Sequence, residues 1–339
     1  MNSIDDVIKF AVVGCGHIGK RHAIMLDRNP EAELVGLVDI AHKVELGLDS
    51  FKAPLFKDMD ALFDSDLEID VVNICTANGL HAQHSIKALE NDKHVVVEKP
   101  LGLNTSNCKE VISKAAAVSK HVFCVMQNRY SPPALWIKDL VERGAIGDVY
   151  IVQLNCFWNR DDKYYTKGGW KGTKEMDGGT LFTQFSHFVD MMYWLFGDIT
   201  DIEAKFDNFR HKDSTEFEDA GFVNFRFLNG GMGSLNFSTA VWDTNMESSI
   251  TVIGSKGSVK LGGQYMERIE YCHIDGYKEP KFPKPSTKYD YGDYKGNANN
   301  HNFVMENVID TLKGKTTVSL SGAEGLKVVD IIERIYSYR

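Results

Sequence analysis

Residues Ile8 to Lys20 read IKFAVVGCGHIGK, and this stretch decides the fold. The apolar run Phe10-Ala11-Val12-Val13 stops at three glycines, Gly14, Gly16 and Gly19. Helical spacing then begins, with Ile18, His22, Met25 and Leu26 recurring at intervals of three and four. Strand, glycine turn and helix in that order make a cradle for a dinucleotide pyrophosphate. Gly14 permits the tight turn, Gly16 lets the phosphates approach the backbone, and Gly19 lets helix and sheet close up. The helix start, at His17 and Ile18, adds unpaired N–H groups and the positive end of its dipole. A glycine turn after any buried strand can look the same, so the motif needs support. Glu33 to Val38, ELVGLV, supplies it as a second strand ending in Asp39, 20 residues past Gly19. An acid there can accept both ribose hydroxyls of the adenosine half.

Asp39 also selects the cofactor. Its carboxylate would repel the 2′-phosphate of NADP, and Ile40-Ala41 offers no guanidinium to receive one. His42 and Lys43 are near enough to blur that argument. NAD is the expected cofactor.

The 339 residues suffice for two domains. Hydrophobic residues at 43% and charged residues at 25% give the balance of a soluble globular protein. A net charge of -9 without a Lys/Arg block argues against a nucleic-acid groove or an anionic membrane surface. The start, MNSIDDVIKF, has neither a basic leader nor an apolar core, and no run approaches the ~18 apolar residues of a membrane span. Six cysteines without a CxxC pair, several inside apolar runs, suggest reduced, buried thiols in a cytoplasmic protein. Cys15, inside the glycine loop, reads as a small side chain tolerated there. No metal site is expected.

Downstream, Asp70 to Cys75 (DVVNIC) is a buried strand running into the polar loop Thr76-Ala77-Asn78-Gly79-Leu80 and a helix from His81 to Glu90. Loops at the carboxyl ends of parallel strands line the ligand crevice, so Thr76, Asn78 and His81 are expected at the cofactor. The strand His94 to Val97 delivers Glu98-Lys99-Pro100 to the same edge. Pro100 keeps Lys99 extended, and an ammonium beside a substrate hydroxyl favours alkoxide character as hydride leaves. A helix over Thr105–Ser119 and a strand over His121–Met126 complete a six-stranded, mostly parallel, doubly wound α/β domain over residues 1–126.

From residue 127 the pattern changes to an α+β domain, 127–339, with an open and mostly antiparallel sheet. Gln127-Asn128-Arg129-Tyr130 is a polar and aromatic junction, with Arg129 and Tyr130 as candidate substrate contacts. Pro132-Pro133 opens a helix, and Val149 to Phe157 forms a strand. The loop Asn159 to Lys174, NRDDKYYTKGGWKGTK, sets five basic side chains against two acids. It reads either as a phosphate- or carboxylate-recognition loop, through Arg160, Trp170 and Lys171, or as a solvated surface loop. A helix from Leu181 to Phe196 places Thr183, His187 and Asp190 on one face. His187 is either a functional histidine or a packed one with a satisfied ring. Alternating runs from Asp201 to Glu270, a long loop over Tyr271–Asn300, and helices over Asn302–Leu312 and Ala323–Tyr336 close the chain.

These residues resemble the glucose–fructose oxidoreductase and inositol dehydrogenase (Gfo/Idh/MocA) family. The likeness rests on the glycine loop, Asp39, CTANGLHAQH at Cys75–His84, VVVEKPLGLN at Val95–Asn104, and GGTLFTQFSHFVD at Gly178–Asp190. It implies a nicotinamide cofactor held by a Rossmann domain, with Glu98 and Lys99 on the cofactor side. It makes Lys99 and His187 the usual catalytic pair acting at a sugar or cyclitol carbon, and a homodimer or homotetramer through the open sheet. Thr183 departs from the Asp or Asn usual at that position, so a mechanism needing a second carboxylate there is in question. Trp158 to Thr173 looks most like the branch acting on uridine-diphosphate sugars, particularly UDP-N-acetylglucosaminuronate 3-dehydrogenases. The resemblance thus implies NAD-dependent oxidation at C3 of a nucleotide sugar, with a simple sugar, cyclitol or dihydrodiol as alternative substrate. A non-catalytic NAD-binding protein is the remaining alternative.

Overall fold

Strands that are apolar on both faces need helices on both sides, and this requirement organises the first part of the chain. The computed structural model describes residues 7–161, 163–282, 289–290, 295–296 and 300–339. The first residues of MNSIDDVIKF, 1–6, lie outside the described residues, as do residues 283–288, 291–294 and 297–299 of the loop expected over Tyr271–Asn300. The chain folds into two compact units, Met1–Met126 with Asn300–Val329, and Gln127–Asn299 with Asp330–Arg339.

In the first unit the strands are β1 (Ile8–Val13), β2 (Ala32–Val38), β3 (Leu55–Phe56), β4 (Val71–Ile74), β5 (His94–Val97) and β6 (Val122–Cys124). They form one parallel sheet in the order β3-β2-β1-β4-β5-β6. Helices α1 (His17–Asp27), α2 (Met59–Phe63), α3 (His81–Glu90) and α4 (Thr105–Ala117) connect them. The order reverses between β1 and β4, which opens a crevice outside their carboxyl ends. Helix α3 and strand β5 fall at the expected bounds, and α4 stops two residues short of the expected Ser119.

The break after Met126 falls where the sequence pattern changes. Residues 300–329, read as part of the second domain, instead lie in the first unit. Cys124 N donates to Leu320 O at 2.9 Å, and Phe123 bridges Ser321 antiparallel, so the returning chain completes the edge beyond β6. A segment that returns to an earlier sheet has no local mark in the sequence.

The second unit is a seven-stranded sheet in the order β13-β12-β11-β7-β10-β9-β8. Its strands are β7 (Val149–Phe157), β8 (Ile199–Asp207), β9 (Ala220–Phe227), β10 (Met232–Ser238), β11 (Glu247–Gly254), β12 (Gly257–Gly262) and β13 (Arg268–Ile274). Every neighbouring pair is antiparallel except β7 with β10. Residues Tyr271–Ile274, expected in a loop, belong to β13, because they pair along β12. Two-residue strands β14 (Tyr289–Asp290) and β15 (Lys295–Gly296) follow.

Alternation along these strands buries one face. Val152, Leu154, Val223, Phe225, Leu235, Phe237 and Ile250 point inward, while Ile151, Phe222, Met232 and Ile253 remain exposed. The helices α5 (Pro132–Glu142), α6 (Thr180–Thr183) and α7 (Ser186–Phe196) belong to this unit. Phe185, between α6 and α7, meets Phe237 with ring centroids 5.7 Å apart, both fully buried. Truncating such a ring to alanine costs about 3–5 kcal/mol, so this contact fixes the start of α7 on the sheet. The chain ends in α8 (His301–Leu312) and α9 (Gly322–Tyr336), and the last turns of α9 belong to the second unit. No described helix is long and apolar enough to cross a membrane.

Candidate active site

The glycine loop is built by exclusion of side chains. A Cβ on Gly19 would lie 1.8 Å from Gly14 O, and one on Gly14 would lie 2.8 Å from Cys75 C and O. Gly14 also has φ +83°. Gly16 differs, since a Cβ there would meet nothing within 4 Å, and the space in front of it is open. Gly16 is the N-cap of α1, with no capping side chain and no acid in the first turn. The N–H groups at His17 and Ile18 therefore keep the positive helix end uncompensated, as a pyrophosphate site requires.

Asp39 sits where β2 meets this loop. Its Oδ2 accepts from Cys15 N at 2.7 Å and its Oδ1 from Ala41 N at 2.9 Å, which aims the carboxylate without burying it. Cys15 is inert, its thiol pushed up to about 12 by burial and by the Asp39 charge. The doubt raised by Lys43 is answered locally. Its ammonium donates to Phe51 O at 2.7 Å and Ala53 O at 3.0 Å, so it is held on backbone carbonyls.

Two loops leave β4 and β5 side by side. Thr76 Oγ1 lies 3.1 Å from His84 Nδ1, and Asn78 is buried in the short 3₁₀ turn before α3. His81 is a brace between these loops, its ring nitrogens 2.6 Å from Pro100 O and 2.9 Å from Thr76 O. Burial lowers its pKa, against the pull of those two carbonyls.

Glu98 is buried, and its carboxylate joins two imidazoles of the same unit. Oε1 lies 3.0 Å from His22 Nε2 and 3.4 Å from His301 Nε2. Asn73 Nδ2 donates to His22 Nδ1 at 3.1 Å, which leaves the His22 proton on Nε2, facing Glu98. Burial alone would raise the Glu98 pKa, but hydrogen bonds from His22 and His301 hold it well below the ordinary carboxylate value. Among the described residues these three make the one cluster of potential metal ligands. The His22–Glu98 distance is that of a direct hydrogen bond. The Glu98 side chain thus anchors the strand end from within, and Lys99 follows it half-buried among buried neighbours. Lys99 N lies 3.3 Å from Glu98 Oε2, and the Lys99–Pro100 peptide is cis.

In the second unit the expected single helix is two. α6 ends at Thr183 and α7 begins at Ser186, so Thr183, His187 and Asp190 do not share one continuous helical face. Asp190 turns to Arg129, whose Nε and Nη2 reach its oxygens at 2.9 and 2.5 Å, both residues being buried. The Arg129 guanidinium also lies 5.4 Å from the Trp194 ring. Arg129, expected at the substrate, is therefore committed to an ion pair that ties the 3₁₀ turn Gln127–Tyr130 to α7; Tyr130 closes that turn, half-buried. Gln127 Nε2 lies 3.3 Å from His187 Nε2. This bond orients the imidazole, and the place of its proton follows the orientation of the Gln127 amide.

The aromatic–basic loop is part ordered and part solvated. Arg160 donates through Nε to Gln184 Oε1 at 2.7 Å and through Nη1 to Asn159 O at 2.6 Å, and lies over Trp158 and Tyr164. Gln184 Nε2 donates to Tyr164 OH at 2.6 Å, which fastens the loop to the break between α6 and α7. Lys171 Nζ stands 3.9 Å from the Tyr164 ring centroid. Trp170, Lys163, Lys167 and Lys174 face solvent. The buried His211 supports Arg160 from behind, with Nε2 2.8 Å from Arg160 O and Nδ1 3.1 Å from Asp219.

Asp177 was not singled out in the sequence, yet it is 1% exposed and central. Its Oδ2 accepts from Gly172 N at 2.8 Å, and its Oδ1 accepts from the Thr183 hydroxyl. Gly172 needs its φ of +90°, and a Cβ there would lie 2.6 Å from Ser214 O. Sequence inspection also missed Gln127, His22, His301 and His211. Only Asp177, beside the Gly178-Gly179 turn, carried a usable local signal.

A six-stranded doubly wound sheet, an open phosphate cradle and an aimed acid after β2 define an NAD-binding oxidoreductase of the Rossmann type. Residues 8–126 match the oxidoreductase family with an NAD-binding Rossmann fold, and residues 135–260 match the GFO/IDH/MocA C-terminal domain. The chain belongs to the Gfo/Idh/MocA family and is an NAD-dependent dehydrogenase of the sugar-dehydrogenase type. It is 30% identical to the WlbA dehydrogenase of Chromobacterium violaceum, solved with NADH and UDP-GlcNAcA, over 98% of this chain and 94% of that one, with a TM-score of 0.87. It is 29% identical to the WlbA dehydrogenase of Bordetella pertussis, solved with the same ligands, over 98% and 96%, with a TM-score of 0.85. The myo-inositol 2-dehydrogenase of Thermotoga maritima is 26% identical over 74% of each chain.

Proposed function

We propose that this protein oxidises the C3 hydroxyl of UDP-N-acetylglucosaminuronate. The observation that carries this reading is the fastening of Arg160, Tyr164 and Lys171 to the start of the His187 helix through Gln184. Two side chains with delocalised or point charge, held against aromatic rings, suit a uronate carboxylate or a diphosphate better than a neutral polyol. Likeness to two enzymes solved with NADH and UDP-GlcNAcA supports the same choice.

NAD supplies the hydride acceptor. In the working complex His187 takes the hydroxyl proton and Lys99 holds the same oxygen, roles that a desolvated lysine can exchange with it. Arg160 and Lys171 bind the acidic part of the substrate, with Trp170 and Tyr130 as flanking contacts. The exposed apolar residues of the open sheet, Ile151, Phe222 and Met232, support assembly into a homodimer or homotetramer.

A ligand panel followed by absorbance at the NADH band and identification of a 3-keto product tests the substrate. UDP-N-acetylglucosaminuronate should stabilise the NAD-bound protein most, UDP-N-acetylglucosamine less, and free inositol or glucose almost not at all. Turnover of a free polyol without turnover of either nucleotide sugar would reject the substrate. Lys99→Ala and His187→Ala should each lower kcat by about 10²-fold or more. Near-normal turnover of His187→Ala would return that residue to a packing role.

A further inference from the structure

Thr183 stands four residues before His187, where the family resemblance implies Asp or Asn. The structure nevertheless puts a carboxylate at Thr183, from a residue six positions earlier. Asp177 is buried within the second unit, and its Oδ1 accepts from the Thr183 hydroxyl, whose Oγ1 also lies 3.2 Å from Asp177 O. Its other oxygen is held by Gly172 N at 2.8 Å. Thr183 is half-buried, whereas Leu181, Phe182, Gln184 and Phe185 beside it are buried.

We propose that Asp177 is the carboxylate of this active site, acting through Thr183. A hydroxyl has one proton. With that proton committed to Asp177, Thr183 meets any further group as a hydrogen-bond acceptor, made stronger by the adjacent charge. It recognises a ring O–H of the sugar, as an aspartate at position 183 would, but without placing a full charge against the substrate. An anionic uronate is repelled less by a hydroxyl than by a carboxylate, so the relay fits an acidic substrate. Asp177 also holds Gly172, and therefore positions Lys171 and the recognition loop together with Thr183. Asp177 is a positioning residue, and Thr183 is the specificity-determining one. This inference rests on the proposed dehydrogenase site.

Relocating the charge tests it. Asp177→Asn should lower kcat/KM at least tenfold, with NAD affinity unchanged within about twofold. Thr183→Asp alone crowds two carboxylates and should also lower kcat/KM. The double variant Asp177→Asn/Thr183→Asp carries one carboxylate again and should recover part of either loss, the remainder being repulsion of the uronate by the charge at position 183. A double variant no better than the product of the single losses would overturn the relay, as would a wild-type-like Asp177→Asn. If a free polyol proves to be the substrate, the same series read on that polyol separates failure of the substrate assignment from failure of the relay. The hydroxyl–carboxylate bond is also read without any substrate, from the melting temperatures of Asp177→Asn, Thr183→Val and the pair. Losses that add independently would overturn it.

Discussion

The two units house their carboxylates differently. In the first, Asp39 accepts two backbone N–H groups and stays half-exposed, while Glu98 is buried between His22 and His301. In the second, Asp190 is buried against a full cation, Arg129, and Asp177 is buried against a hydroxyl and a backbone N–H. The first arrangement aims charge at a ligand or fixes a strand end. The second joins segments of chain, so its carboxylates act on other side chains before they act on anything else.

The largest effect should come from breaking the arginine pair. Asp190→Ala leaves Arg129 buried without its partner and should cost about 3–5 kcal/mol, read from denaturant unfolding. A loss below about 1 kcal/mol would mean that the pair is dispensable and that Arg129 is available for substrate.

Glu98 should give a smaller, pH-dependent effect. Its folded pKa lies well below the ordinary value, so its contribution is fully present above the unfolded pKa of about 4.3 and is lost as the pH falls through the folded value. Glu98→Gln should therefore destabilise by roughly 1–3 kcal/mol near pH 7, and the gap should close in acid. A gap independent of pH would show that shape, rather than charge, holds the triad together.

Asp39 should change selectivity more than stability. Titrations of the two cofactors should show NAD binding more tightly than NADP, and Asp39→Ala should shrink that preference by about tenfold, roughly the worth of one charged contact. Equal affinities in the unaltered protein would defeat this account of Asp39. Smallest of all, Lys43→Ala should leave NADP affinity within about twofold, since the ammonium is held by Phe51 O and Ala53 O. A marked loss of NADP affinity would show that the lysine leaves those carbonyls to meet the 2′-phosphate.

What the sequence determined by itself was local. Apolar runs, glycine spacing and the acid after the second strand place β1, α1, β2 and the dinucleotide cradle, because their geometry depends on residues within one supersecondary unit. Lys99 was legible for the same reason, delivered by a buried strand and followed by proline. Tertiary structure alone decided the rest. The return of residues 300–329 to the first sheet brings His301 to Glu98 across 203 residues of chain, and no periodicity announces such a meeting. Helical spacing put Thr183, His187 and Asp190 on one face; His187 and Asp190 do stay together on α7, but the break before Ser186 separates Thr183 from them and Arg129 takes the Asp190 carboxylate. The absent carboxylate at position 183 was visible as a gap, and its replacement was not. The hydrogen bond between Asp177 and Thr183 depends on the turn through Gly178-Gly179: glycine permits the φ values of +86° and +135° found there, but does not announce which of its many conformations is taken.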